Sequence, residues 1–252
     1  RLTSEEIRQL FQLIKAVADF PKTIYILAFD YSLVEKALEP FQSGSDTRYL
    51  EKIIQLDFEI PYPSRSAIAA VLWNGLDDII KTIPTEKYEQ ARWNEIKFGP
   101  LSALFRNIRD VKRYLNAVNF MFPIINGEVT PVDLLIVEAI HVFAPSLYKT
   151  IRDNKDSLVS GSYRAKSRSQ NDESHEWIKN LPNLAPVYCR DAMKQMLSHL
   201  FPEIESVFER HGWGDDFVGI WDKSQRICIS PHFDYYFQGS TPEGEISARE
   251  AQ

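Results

Sequence analysis

Seven residues near the start of the chain, Thr23-Ile-Tyr-Ile-Leu-Ala-Phe29, constrain the fold more than any others. They are β-branched, aromatic or aliphatic, almost without polar interruption. A half-solvated strand alternates apolar and polar side chains. A continuous apolar run instead suits a strand buried on both faces, as in a parallel sheet. The run ends in Asp30, at what would be the strand's carboxyl end, and open α/β sheets bind ligands beyond that end. The segments around it are helical in pattern. Thr3-Ser-Glu-Glu6 has the spacing of a capping box. Ile7, Leu10, Phe11, Ile14 and Val17 then recur on one face until Pro21. Ser32 to Leu38 reads as a short helix.

Gln42 to Asp46 reads as a loop. Tyr49 to Ile54 leads into Gln55-Leu-Asp-Phe-Glu-Ile60, whose alternation predicts a second short strand. Pro61 and Pro63 close it. Ser64 is placed to cap a long helix running to about Ile83, with Ala67, Val71, Leu72, Leu76, Ile79 and Ile80 as its apolar positions. Beyond that point the chain is mainly helical. Asn107 to Phe122 is amphipathic, with Ile108, Val111, Leu115, Val118 and Phe122 on one side and Arg109, Lys112, Arg113 and Asn116 on the other. Pro131 to about Tyr148 reads as one apolar helix with Thr130 at its cap and Pro131 in its first turn. Arg152 to Glu176 is polar, has few apolar anchors and reads as a long excursion. Helical pattern resumes at Asp191 to Leu200 and at Glu203 to Arg210, and Gly212-Trp-Gly214 breaks it. The aromatic closing stretch, Arg226 to Phe237, is expected to pack onto the helices. No internal repeat is present.

Composition narrows the function classes. Of 252 residues, 44% are hydrophobic, enough for a sizeable core, and the net charge of −6 disfavours a general nucleic-acid binder. The two cysteines, Cys189 and Cys228, form no CxxC pair, which argues against a disulfide framework or zinc ribbon. No stretch is long and apolar enough to span a bilayer, and no signal-peptide pattern opens the chain. A reducing, cytoplasmic setting fits, at the cytoplasmic face of a membrane if segments elsewhere in a longer protein insert into it. Such a longer protein is expected. The first residue is Arg1, and Ser247-Ala-Arg-Glu250 has capping-box spacing with no apolar helix following it, although a frayed tail with a chance match reads equally well.

Four pieces of the chain together resemble the KAP family of P-loop NTPases. Arg1-Leu-Thr with the helix after it is similar to the segment that follows the family's acidic Walker B run, Arg1 being the arginine of that run. Ile26-Leu-Ala-Phe-Asp30 is similar to the family's next strand. Tyr49-Leu-Glu-Lys-Ile-Ile-Gln55 followed by Phe58-Glu-Ile-Pro61 is the most specific of the four. Asn107-Ile-Arg-Asp-Val-Lys-Arg-Tyr-Leu-Asn116 is similar to the lid helix of AAA-like and STAND-like ATPases. The resemblance is good over about residues 1–125 and loose beyond. It implies ATP hydrolysis with Mg2+ for a full-length protein, and a role in bacterial defence against phage or plasmids. The chain itself holds no GxxxxGK[ST] loop and no paired Walker B carboxylates. No cofactor is therefore expected to bind tightly to this chain, which alone is expected to be inactive.

The implied fold is α/β but α-rich. Residues 1–62 would be the downstream part of a P-loop sheet, 63–125 a helical lid, and 126–252 a C-terminal helical module containing the polar loop 152–176. Asp30 reads either as a polar sensor near a phosphate or as the N-cap of the next helix, and the two roles can coexist. Arg109 and Arg113, four apart, share a helix face. They read either as lid arginines that grip phosphate oxygens or as a solvated basic face beside Asp110. By the resemblance Arg109 is the lid-helix sensor arginine, Arg113 its neighbour, and Asp30 and Arg1 line the nucleotide side. The five histidines show no metal-ligand spacing, and no metal site is expected. His141 reads as a hydrogen-bonded core residue, and nothing local makes Cys189 or Cys228 a nucleophile. Arg164, Lys166 and Arg168 form a basic cluster that reads as solvated. A protein partner or self-association is expected, a membrane contact only through segments outside the chain, and nucleic acid is disfavoured. The alternative reading is a non-catalytic helical module that works by binding protein.

Overall fold

The computed structural model describes residues 2–17, 20–39, 50–83, 89–159, 175–209 and 216–238. Arg1, the loop 42–46, the basic cluster 164–168, Gly212-Trp-Gly214 and the 247–250 box lie outside the described residues. The chain forms two compact units, Arg1–Tyr62 and Pro63–Gln252.

The first unit holds helices α1 (Ser4–Val17) and α2 (Tyr31–Leu38). The capping box forms. The Thr3 N–H donates to Glu6 Oε2 at 2.7 Å and the Glu6 N–H donates to Thr3 Oγ1 at 3.3 Å, satisfying two orphan donors of the first turn. The Thr3 backbone bond, then its hydroxyl bond, hold the Glu6 carboxyl below its ordinary value. Phe11, Val34, Leu38 and Leu50 form a small core, with Ile7, Leu27, Ile53 and Ile54 against it. Arg8 Nε donates to Ala37 O at 2.7 Å and ties the two helices together.

The expected α/β fold with a partial P-loop sheet is not what forms. Every regular element among the described residues is helical, and the β-bridge Asn126–Val129 is isolated. Thr23 to Phe29 has no ladder partner among the described residues. Two of its side chains meet the helices: Leu27 packs on the small core and Phe29 meets the Phe11 ring edge-on at 5.6 Å. Ile24 and Ile26 point away and are 87% and 91% exposed. Gln55 to Ile60 is likewise irregular, with Leu56, Phe58 and Ile60 exposed. The reason is physical. Apolar composition favours burial, but an extended segment becomes a strand only where a neighbour pairs its N–H and C=O groups.

The second unit is a helical assembly. Helices α3 (Arg65–Ile80), α4 (Gln90–Ile96), α5 (Ile108–Ile125) and α6 (Pro131–Phe143) lead into α7 (Pro145–Asp153) and α8 (Lys155–Leu158). A further helix over 175–180, α9, precedes α10 (Arg190–Leu200), α11 (Pro202–Glu209), α12 (Asp216–Lys223), α13 (Ser230–Phe233) and α14 (Tyr235–Gln238). Ser64 caps α3 through a bond from the Ala67 N–H, and Asn107 caps α5 through one from Asp110. The single helix expected over Pro131 to Tyr148 divides at Ala144, because Pro145 cannot supply the N–H that would continue the ladder. The polar stretch after Arg152 also contains helix α8, whose Leu158 is buried.

Helix α6 lies at the centre. Every residue from Pro131 to Ile140 is buried, including Asp133 and Glu138. Helices α5, α7 and α10 pack around it. The aromatic closing stretch does pack onto the helices: Ile227, Cys228, Phe233 and Tyr236 are buried in the same core. Helix α3 crosses α5 closely at Gly75, where a Cβ would stand 2.4 Å from Leu115 Cδ1. Gly75→Val therefore overpacks this crossing. Urea unfolding is expected to show a loss of about 1–3 kcal/mol.

Candidate functional site

The predicted site residues fall into different settings. Asp30 accepts from the Leu33 N–H at 3.2 Å and from Ser32 Oγ at 2.7 Å, so it caps α2. It lies in the first unit, and both arginines lie in the second. Arg109 and Arg113 share the exposed face of α5 with Lys112 and Asn116. The two arginines differ in one respect. Arg113 Nη2 donates to Val142 O at 3.2 Å, so its guanidinium braces α5 against α6. Arg109 makes no hydrogen bond or ion pair among the described residues.

A buried polar cluster in the second unit escaped the sequence reading. Asp133, with no exposed surface, sits in the first turn of α6. Its Oδ1 pairs with Arg92 of α4. Its Oδ2 accepts the Ile227 N–H at 3.0 Å and faces Arg226 Nε at 3.6 Å. Arg92 also bridges to Glu89 at 3.0 Å, and both guanidiniums donate to His199 O in the last turn of α10. Burial pulls the Arg92 pKa down. The charge and hydrogen bond of Asp133, followed by those of Glu89, outweigh that and hold it above the ordinary arginine value.

Beside this cluster, Thr130 does not cap α6 with its hydroxyl. It donates that hydroxyl to Ser224 O instead, and its N–H reaches the Tyr236 hydroxyl at 3.0 Å. Tyr236 in turn donates to Gln225 O at 2.8 Å. Gln225 has a positive φ of 57°, an uncommon conformation for a non-glycine residue. A cavity of about 170 Å3 opens here, lined by Glu89, Thr130, Lys223, Ser224 and Gln225 among others. The signal that could have found the cluster was present in the sequence: Asp133 and Glu138 interrupt an otherwise apolar helix.

The second carboxylate of α6 has a different neighbour. Glu138 faces His141 Nδ1 at 3.2 Å, one turn on. His141 is thus hydrogen-bonded, as expected, but its side chain is half exposed rather than in the core. His232 pairs with Asp222 at 2.9 Å. Both cysteines are buried and outside any disulfide among the described residues. Burial pushes Cys189 up, which makes it a poorer nucleophile. Among the described residues, no group of three or more His, Cys, Asp or Glu side chains is placed to hold a metal ion.

The sequence holds no GxxxxGK[ST] loop. What α5 offers is a basic, exposed face suited to an anion held by other residues. Asp133→Ala would leave two buried guanidiniums without the carboxylate that faces them and the Ile227 N–H without its acceptor. It is expected to cost about 3–5 kcal/mol in denaturant unfolding.

Comparison with known proteins is informative over the first half of the chain. Residues 1–125 match the family described as the KAP family P-loop domain, in agreement with the resemblance read from the sequence. The phage T7 exclusion protein of Escherichia coli (strain K12) is 23% identical over 98% of this chain. The chain spans about a third, 34%, of that relative's length. No solved structure matches.

Proposed function

With residues 1–125 matching the KAP family P-loop domain, we propose that this chain is the sensor, lid and C-terminal portion of an ATP-hydrolysing switch protein. The observation that carries this reading is where the family match ends. It stops at residue 125, the last residue of α5, the helix that presents Arg109. An arginine on the exposed face of a helix, with no internal partner among the described residues, is chemically suited to phosphate oxygens. Its planar guanidinium offers fixed N–H donors and stabilises charge in phosphoryl transfer. ATP and Mg2+ would be held by residues outside the chain. The similarity to a phage exclusion protein supports a place in bacterial defence. Asp30 in this reading keeps its capping role and sets the start of α2.

The test is Arg109→Ala in a protein that carries this chain together with a phosphate-binding loop. ATP turnover is expected to fall on the order of 10²-fold, with the thermal midpoint unchanged because the Arg109 side chain is exposed and makes no hydrogen bond or ion pair among the described residues. Unchanged turnover removes Arg109 from the reaction.

A second reading has its own observation. Ile24, Ile26, Leu56, Phe58 and Ile60 expose apolar surface in one small unit, and exposed apolar patches mark interaction sites. Under this reading the chain is a non-catalytic module that binds protein. Replacing Ile26 and Phe58 together by Asp should then weaken association in sedimentation experiments while leaving the helical signal intact. Association that survives the double substitution ends this reading.

A further inference from the structure

Helix α6 buries two carboxylates, and they are stabilised differently. Asp133 is met by two guanidiniums and a backbone N–H. Glu138, only 1% exposed, is met among the described residues by a single imidazole that is itself half exposed. The His141 ring stacks on Tyr148 of α7, with centroids 4.4 Å apart and planes inclined by 23°. Tyr148 in turn meets Phe237 of α14 at 5.2 Å. One imidazole therefore touches the buried charge on one side and the packing of two further helices on the other. We propose that Glu138, His141 and Tyr148 form a proton-sensitive latch that holds α7 and the closing helix α14 against α6.

The chemistry follows from the surroundings. A buried carboxylate is costly unless a partner compensates its charge. Protonated His141 supplies that charge. Neutral His141 in its Nδ1–H tautomer can keep the hydrogen bond, but no positive charge then opposes the carboxylate. The other titratable groups at this place are Tyr114 and Arg113 on α5 and Tyr148 and Arg152 on α7, while Phe237 on α14 brings only a ring. Tyr114 donates its hydroxyl to Leu135 O, and burial, then Glu138, push it well above its ordinary value. Burial, then Glu138, push Tyr148 up to about 12, with Arg152 opposing. Arg113 is fixed on Val142 O. Of these groups, His141 is the one that changes charge between pH 5 and 8.

The direction of the effect is set by His141. The hydrogen bond to Glu138 raises its pKa above 6.5, against the opposing effect of burial. A group with a raised folded value contributes stability that is complete below its unfolded value. That contribution is lost as pH rises through the folded value. The latch is therefore tight under mildly acidic conditions and loosens toward alkaline ones.

The experiment uses the whole chain and follows the His141 imidazole by NMR, with hydrogen exchange at the α7 and α14 amides. His141 is expected to titrate above 6.5 in the unaltered chain, and at or below 6.5 in Glu138→Gln. Protection of the α7 and α14 amides, corrected for intrinsic exchange, should fall as pH rises through the His141 midpoint. In His141→Gln it should be flat over the same range. Because His141 is half exposed, that variant retains the core. If Glu138→Gln fails to fold, the unaltered chain and His141→Gln decide between the outcomes. A titration at or below 6.5 in the unaltered chain overturns the proposal, as does the same loss of protection in His141→Gln.

Discussion

The second unit depends on how one carboxylate is compensated. Asp133 has no exposed surface, and its two oxygens organise groups from two other parts of the chain. Arg92 arrives from α4, Arg226 and the Ile227 N–H from the segment before α13. Counted together, Asp133 and Glu89 balance Arg92 and Arg226, so the cluster is neutral as a whole. His199 O adds a further acceptor. It lies in the last turn of α10, where carbonyls lack intrahelical partners and the helix dipole is negative. Two guanidiniums on that carbonyl satisfy it and place the end of α10 against the start of α6. The packing of four segments thus meets at one shared charge cluster.

This arrangement explains why α6 can be buried almost all round and still carry two acids. An apolar helix packs equally well at several rotations about its axis, because dispersion and burial have little directional preference. Asp133 removes that freedom, since only one rotation brings it to both arginines. Glu138, one and a half turns later, faces the opposite problem: its neighbours are tyrosines and one imidazole. The two acids divide the helix into a fixed end, anchored by permanent charges, and an adjustable end, where the compensating charge belongs to a histidine.

Local signals in the sequence were legible because they act over three or four residues. The Thr3 to Glu6 box, the Ser64 cap and the start of α6 at Pro131 form as their spacing implies. Asp30 shows both sides of such reasoning. Its capping role was readable from Asp30-Tyr-Ser-Leu33, but the strand expected before it was not realised. A strand needs a partner that the run Thr23 to Phe29 cannot itself specify. The Asp133 cluster was illegible for a related reason. Arg92 is 41 residues away and Ile227 is 94, and no periodicity links such distant positions. The two acids inside an apolar helix were the visible trace. They implied buried partners without saying which.

The two arginines of α5, equivalent by spacing, are made unequal by the packing behind them. Arg113 is committed to Val142 O, near the carboxyl end of α6. One residue on, Tyr114 donates to Leu135 O in the first half of the same helix. Two successive residues of α5 thus hold carbonyls seven residues apart on α6, about two turns. A pair of bonds so separated resists both sliding and rotation, because either motion lengthens at least one of them. Any displacement of α5 must then carry α6 with it, and with α6 the charge cluster at Asp133. Arg109, one turn before Arg113 and outside this brace, can respond to an anion without breaking an internal bond, while the helix beneath it is coupled to the centre of the unit.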